Sequence, residues 1–368
     1  MLRYTTKRLA YGFLVLLGVV VLVFFLFQGF GDPARLVMGQ SGDSTTQANI
    51  RKDLYLDQPK WKQFLFYLND VSPLCIHSRA DIERKNLKGI FIGDKNKFGI
   101  KIPYLRKSYQ SKRAVWNILM QALPGTLMLA IAAMFIAMMI GIPLGVLAAV
   151  KQNSWLDTTA IASSIVGISA PSFFMGIIMV YLFGFVLSDW TGLHIAGSWF
   201  AIDQGGHRRL TLQNLVLPAI TLGIRPLAII TQLTRSAMLD VLDQDYIRTA
   251  YAKGLSKRTV IWKHGLRNAL NPVITAITGW FAELLAGAFF VEYIFGWQGI
   301  GKVTVDALEK LDYPVVMGSV LLSATFFILI NILADVSTHF HYSLVHLRLH
   351  LIFYRFLSFL YDLLFMAF

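Results

Sequence analysis

Six Lys/Arg residues crowd the stretch DYIRTAYAKGLSKRTVIWKHGLRNALNP, Asp245 to Pro272, which separates two long apolar runs. Residues 244–253 have good helical content, and Gly254 is a natural helix stop because glycine enters the left-handed conformation at little cost. A second helix is expected to begin near Ser256, with Lys257, Arg258 and Lys263 facing outward. A connection that only joined two apolar runs would be far shorter. Two uses fit a stiff helix–glycine–helix of this charge. One is an interfacial helix anchored by Lys and Arg at lipid headgroups. The other is a docking surface for a soluble partner, seated like a helix in a groove. In that second reading Tyr246, Ile247, Tyr251 and Leu255 supply apolar anchors, and Arg248 and Lys253 supply rim charges.

Other residues carry chemical potential as well. Glu283 lies inside an apolar run, where a carboxylate is costly, so it reads as substrate- or proton-facing or as an internal polar contact. Ser163, Ser164, Ser169 and Ser172 surround Pro171. Their hydroxyls either line a pathway or bond their own helix backbone. His339, His341, His346 and His350 suggest a metal, yet only His346/His350 has helical i,i+4 spacing and no acid or cysteine completes a site, so no metal is expected. The chain has no His-Glu-x-x-His and no Gly-x-Ser-x-Gly, hence no catalytic residue is assigned. It also has no Gly-rich phosphate loop ending in Lys-Ser/Thr, so it is not expected to hold or hydrolyse ATP.

The elements that must position these groups are apolar. The chain is 55% hydrophobic and 15% charged, with mean hydropathy +0.56, against about a quarter charged in soluble domains. Charges sit in blocks between runs long enough to cross hydrocarbon. Six spans are expected, at 9–27, 118–150, 158–187, 215–239, 273–295 and 315–336. The stretch SAPSF falls inside the third, and Pro218 and Pro226 inside the fourth. Proline inside a span frees backbone groups that protein or a wet cavity must satisfy. Residues 1–30 form a tail and first span rather than a cleaved signal, since the apolar core is long and no small-residue cleavage pattern follows. Residues 31–115 are a large extracytoplasmic loop with an amphipathic helix at 54–70, 116–336 are a five-helix core, and 337–368 are an atypical tail.

Charge fixes the orientation. The N-tail, the 151–157 loop and the 241–268 loop carry ten Lys/Arg, whereas loops 188–214 and 296–314 carry four. Basic residues mark the cytoplasmic side, so the N-terminus and the basic insert face the cytoplasm. The first loop holds sixteen Lys/Arg against eight acids over 30–113, but loops of that length translocate largely regardless of charge. The net charge of +13 therefore reads as membrane-lipid anchoring, not nucleic-acid binding. The lone Cys75 excludes an intramolecular disulfide.

Several segments resemble, in order, the permeases of ABC importers in the dipeptide/oligopeptide/nickel subgroup. These are LYLDQPKWKQF, WNILMQALPGTLMLAI, GISAPSFFMG, LVLPAITLG, RTAYAKGLSKRTVIWKHGLRNALNPVIT and VEYIFGWQGIGKVTVDALEKLDYPVVMG. The resemblance runs from Met1 to about Val336. It implies an all-α polytopic fold, the six-helix type I importer permease, in the bacterial inner membrane. It implies that Tyr246, Ile247, Arg248, Thr249, Ala250, Tyr251, Lys253, Gly254 and Leu255 form the coupling contact. The family's Glu-Ala-Ala is here Arg248-Thr249-Ala250, with the spacing to Gly254 kept. The translocation path would include Ser169, Pro171, Ser172 and Glu283, and the extracytoplasmic mouth Glu292, Gly296, Gly299 and Gly301. Implied partners are a second homologous permease, two cytosolic ATPase subunits carrying ATP and Mg, and an extracytoplasmic binding protein. A di- or oligopeptide is the implied substrate, with nickel or another small solute as the alternative. A stand-alone channel or ion-coupled carrier would leave the basic insert without a purpose.

Overall fold

A computed structural model describes residues 2–29, 51, 55–94, 96–193, 197, 200–202 and 208–344. In chain order the elements are α1 (Leu2–Gly29), α2 (Lys60–Val71), β1 (Leu74–Ser78), α3 (Arg79–Lys85), β2 (Gly89–Ile92), β3 (Asn96–Lys101) and α4 (Val115–Val150). Then come α5 (Trp155–Ser169), α6 (Ser172–Tyr181), β4 (Phe200–Ile202), β5 (Arg208–Leu210), α7 (Gln213–Leu242) and α8 (Asp245–Ala252). The last are α9 (Leu266–Gly287), α10 (Phe289–Ile294), α11 (Ile300–Glu309) and α12 (Tyr313–Leu344). Residues 30–50, His346, His350 and the rest of the tail beyond 344 lie outside the described residues.

Among the described residues, four helices are long and apolar enough to cross a membrane: Tyr4–Phe27, Val115–Val150, Gln213–Leu242 and Tyr313–Ala334. A fifth span is added if a bent pair, Trp155–Ser169 with Ser172–Val186, counts as one. That bend of 108° corrects the expectation of a continuous third span. Its cause is local: Pro171 cannot continue a helix and disfavours helical geometry at Ala170, which is extended (φ −75°, ψ 127°). The expected fifth span also differs. The helix begins seven residues earlier, at Leu266, and breaks at Ala288 before the short α10. At 22 residues α9 is long enough, but Arg267, Asn268, Asn271, Glu283 and two threonines keep it less apolar than the others.

The chain divides into two compact units. The first comprises 1–10, 125–298 and 326–368. Its core joins α4, α7 and α9 through Leu129, Ala133, Ile142, Leu217, Ile230 and Val273, all buried. Glycines let these helices approach closely: a Cβ at Gly145 would lie 2.6 Å from the Thr231 carbonyl oxygen, and one at Gly223 would lie 2.8 Å from that of Ala133. Small residues at helix contacts are how membrane helices gain packing without a hydrophobic drive.

The second unit comprises 11–124 and 299–325. It corrects the all-α expectation, because β1, β3 and β2 form an antiparallel sheet in that order, with Leu74 opposite Ile100 and Ile90 opposite Ile100. Among the described residues of the first unit, β4 and β5 add a two-stranded hairpin. The sheet inverts the usual pattern. Leu74, Ile76, Ile90, Ile92, Phe98 and Ile100 are exposed, while Cys75, His77 and Lys101 are buried. The polar side faces Asp70, whose Oδ1 accepts a hydrogen bond from Lys85 Nζ at 2.5 Å. Lys101 Nζ donates to the Asp70 carbonyl. The helix expected at 54–70 starts only at Lys60, because Pro59 sits in the capping position in extended geometry. It packs on α1 through Phe64 and Tyr67 against Phe24.

Candidate functional site

The basic insert folds as a helix, a glycine turn and a return into α9. Gln244 is extended ahead of α8, and Lys253 ends it. Gly254 then takes φ +77°, its N–H bonds the Tyr251 carbonyl at 2.9 Å, and Leu255 N–H bonds the Ala250 carbonyl at 3.3 Å. That pair of bonds is the Schellman closure, which requires a left-handed residue at this position. Ser256 caps the next turn, its Oγ accepting from Thr259 N–H at 3.3 Å. The chain continues through Lys257–Thr259 and a wide π turn, Val260–Gly265, directly into α9.

The two faces of α8 differ. Ile247 and Ala250 are buried against Val260, with Val241 and Leu242 packed beside them. Ile247 therefore holds the helix onto the end of α7 and the π turn, and it is not available as an anchor for a partner, which corrects the expectation. On the outer face Tyr246, Tyr251 and Leu255 are exposed, as are Arg248, Thr249 and Lys253. Tyr246 Oη accepts from Asn268 Nδ2 at 2.7 Å, which ties the face to the start of α9. Arg248 lies 3.5 Å from Asp245 in an exposed i,i+3 pair of little energetic weight.

A second polar contact near this insert escaped the sequence reading. Asp157, in the first turn of α5, is gripped by Arg235 of α7: Nη2 donates to Oδ2 at 2.7 Å and Nε donates to Oδ1. Asn153 N–H donates to the same carboxylate at 2.9 Å. Bidentate geometry makes this a strongly directional ion pair. The available signal was two arginines, Arg225 and Arg235, inside the apolar run at 215–239, where a charge needs a partner.

The remaining expected residues separate into groups. Ser169, Pro171 and Ser172 meet at the elbow between α5 and α6 and are all exposed. Ser163 and Ser164 instead line a mainly apolar groove of ≈ 400 Å³ between α4, α5 and α7, with Leu147, Gly167 and Thr231. Glu283, on α9, pairs with Arg225 of α7 at 3.7 Å, both about half exposed. The Arg225 guanidinium also lies over the Trp280 ring, 5.2 Å from its centroid.

Glu292 is fully buried, so it is not an exposed docking residue. Its carbonyl accepts from Trp297 N–H at 2.8 Å, and Trp297 Nε1 donates to the Gly125 carbonyl at 2.9 Å. A close backbone approach at Gly125, where a Cβ would clash with the Gln298 carbonyl, locks this corner. Gly296 makes a left-handed turn, at φ +61°. Gly299 is extended and precedes α11, and Gly301 lies within that helix, so neither is a left-handed turn residue.

Residues 141–344 match the family described as binding-protein-dependent transport system inner membrane component, and residues 1–79 match its N-terminal membrane component. The chain belongs to that family. It is 37% identical over 357 residues to the dipeptide transport system permease protein DppB of Escherichia coli K12, covering 91% of this chain and 96% of that protein. It is 36% identical over 338 residues to the glutathione transport system permease protein GsiC of the same strain, with the same coverage. A solved chain of the MetNI methionine ABC transporter, in an inward-facing conformation, aligns with TM-score 0.46 and 17% identity over 60% of this chain and 95% of that one. This permease is thus a multi-pass inner-membrane protein, and the relatives it resembles over most of its length are transport permeases rather than enzymes.

Proposed function

We propose that the permease forms one half of the pore of an ATP-driven, binding-protein-dependent importer of di- or oligopeptides, with α8 as its contact with the ATPase. The observation that carries the coupling assignment is the shape of the insert. A helix closed by a left-handed glycine presents Tyr246, Tyr251 and Leu255 outward and is clamped behind by Ile247 and Ala250. A floppy loop would dissipate a nucleotide-driven movement before it reached α7 and α9. The dipeptide and glutathione permeases among its relatives support the substrate class.

In this reading six helices span the membrane, with α9 as a span whose polar face is shielded by protein or water. The N-terminus and α8 lie in the cytoplasm. Two cytosolic subunits hold ATP and Mg, a second homologous permease completes the pore, and an extracytoplasmic binding protein delivers substrate on the side of Gly296, Gly299 and Gly301. The elbow at Ser169, Pro171 and Ser172 lines the path.

Reconstitution tests this. Proteoliposomes holding this chain, a second permease, the ATPases and the binding protein should accumulate radiolabelled dialanine on ATP addition, and the chain alone should neither transport nor hydrolyse ATP. Transport by this chain without a second permease, or ATP hydrolysis by it alone, would refute the assignment. Orientation is read separately: Lys60→Cys should react with an impermeant maleimide from outside and Lys257→Cys only from inside. The native Cys75 is buried and gives little background.

A further inference from the structure

The α9 helix carries a polar track on the side it does not bury. Asn271, Thr275 and Glu283 are exposed, and Gly279 falls in line with them, at successive four-residue steps. Residues so spaced lie above one another on one face. A Cβ at Gly279 would meet nothing within 4 Å, so the track has open space in front of it. The opposite face, with Leu270, Val273 and Leu284, is buried. From Asn271 to Glu283 the track climbs about 18 Å, more than half the hydrocarbon thickness.

At its upper end stands the Arg225–Glu283 pair. Each residue lies seventeen positions from the insert, Arg225 before Leu242 and Glu283 after Leu266. Two helices leaving the same insert therefore bring both groups to the same height, about 26 Å away. The 3.7 Å separation is longer than a hydrogen bond, and both side chains are about half exposed. A half-exposed ion pair facing lipid would be costly, so such groups face water or protein. Trp280 holds the guanidinium from below, which fixes the arginine whether or not the carboxylate is engaged.

We propose that Arg225 and Glu283 read the two ends of the transported peptide: the guanidinium takes its carboxylate and the Glu283 carboxylate takes its ammonium. This rests on the peptide-import reading. The chemistry suits a zwitterion because every charge stays compensated as the loose pair exchanges one partner for another. Charge-assisted hydrogen bonds also give the exchange direction. The ends of the peptide are common to all sequences, so the pair grips the backbone and leaves side chains unread. Gly279 leaves room for those side chains in front of the track.

The complete reconstituted transporter tests it with dialanine. Arg225→Gln and Glu283→Gln should each slow uptake roughly tenfold or more, the loss expected for one charged hydrogen bond. Glu283→Asp should retain most of the rate. The double variant Arg225→Gln/Glu283→Gln should be as slow as either single one. A pair that only braced α7 against α9 would instead recover in the double variant, where no charge is orphaned. Independently of folding in those variants, Gly279→Cys should react with a small impermeant methanethiosulfonate, and dialanine should protect it during turnover. Recovery in the double variant, or modification of Gly279→Cys at the same rate with and without dialanine, overturns the proposal. So does a cross-link from Gly279→Cys to the second permease that leaves transport intact. If wild-type transporter fails to take up dialanine at all, the peptide reading itself falls, and the two failures are distinct.

Discussion

Gly254 is the position at which the coupling assignment is most exposed to test. The residue sits at φ +77°, and a Cβ there would meet no atom within 4 Å. Any cost of substitution is therefore conformational, not steric. A non-glycine residue in the left-handed region costs about 1–2 kcal/mol, and a β-branched one more. The helix it closes has only eight residues, too few to be stable alone. Burial of Ile247 holds it with about 1.5–3 kcal/mol, so the penalty is of the same size as the hold. A shift of about 1.4 kcal/mol changes a two-state ratio tenfold. Gly254→Asn, which tolerates the left-handed region, should transport near the wild-type rate. Gly254→Ala should lose roughly tenfold and Gly254→Val more, in dialanine uptake and in substrate-stimulated ATP hydrolysis alike. Membrane abundance should be unchanged in all three. If Val behaves like Asn at equal abundance, the turn does not transmit force and α8 is not the coupling element.

Tyr251→Asp alters an exposed residue on the same helix; thermal stability should be within about 0.5 kcal/mol of wild type while coupled hydrolysis is lost, and retained coupling would remove Tyr251 from the contact. Asp157→Ala leaves Arg235 without its carboxylate and should destabilise the first unit by about 3 kcal/mol, measured as a lowered melting temperature in detergent, with Asp157→Ala/Arg235→Met recovering part of it. The three-stranded sheet should weaken in acid. His77 is held below the usual imidazole range, chiefly by burial and also by Lys85, against the opposing pull of Asp70. The unfolded segment then takes up the extra proton as pH falls below about 6.5, so stability drops from there through the lower folded value. Lys101 is pushed down to about 8 by burial, so the unfolded state holds the extra proton between that value and the usual 10.5, and stability rises with pH across that window. Hydrogen exchange of β1 and β3 amides, corrected for intrinsic rate, should quicken from pH 7 to pH 5 and slow from pH 8 to pH 10; His77→Gln should abolish the acid limb, and a flat profile would refute the assignment.

What was legible in the sequence is what depends on composition and on local breakers. Long apolar runs announce spans because hydrocarbon leaves no other solution, and Gly254 announces a stop because only the left-handed region closes the helix. The insert was therefore placed within a residue or two. The three-stranded sheet was not, because its strands invert the usual pattern: β1 alternates apolar and polar, but its polar side faces the core, satisfied by Asp70 and Lys85. No local signal separates that from an amphipathic loop. The break at Pro171 was visible as a proline, but its size of 108° depends on how α6 packs. Ile247 was misread for a similar reason. On an eight-residue helix the apolar side that holds it to its own chain and the one that meets a partner look alike in sequence, and only the position of Val260 distinguishes them.

The placement of Arg225 and Glu283 ties these observations into one mechanical argument. Both helices that carry them start from the same rigid insert, one at Leu242 and the other at Leu266 through the π turn. Ile247 and Ala250 lie on Val260, so α8 cannot shift without moving the base of α9. α7 is reached differently: α8 follows it after only Asp243 and Gln244, with Val241 and Leu242 packed beside Ile247. A push on α8 from a closing ATPase would therefore load the two helices unequally. Helices are stiff along their axes, so an offset at the base is carried upward over the same seventeen residues on each side. It arrives as a change in the Arg225–Glu283 separation. The pair already sits 3.7 Å apart, outside hydrogen-bond range. An offset of about 1 Å, the size of interface helix shifts in switching proteins, is enough to close or release it. In the proposed mechanism this is how nucleotide state would set whether the peptide's ends are held.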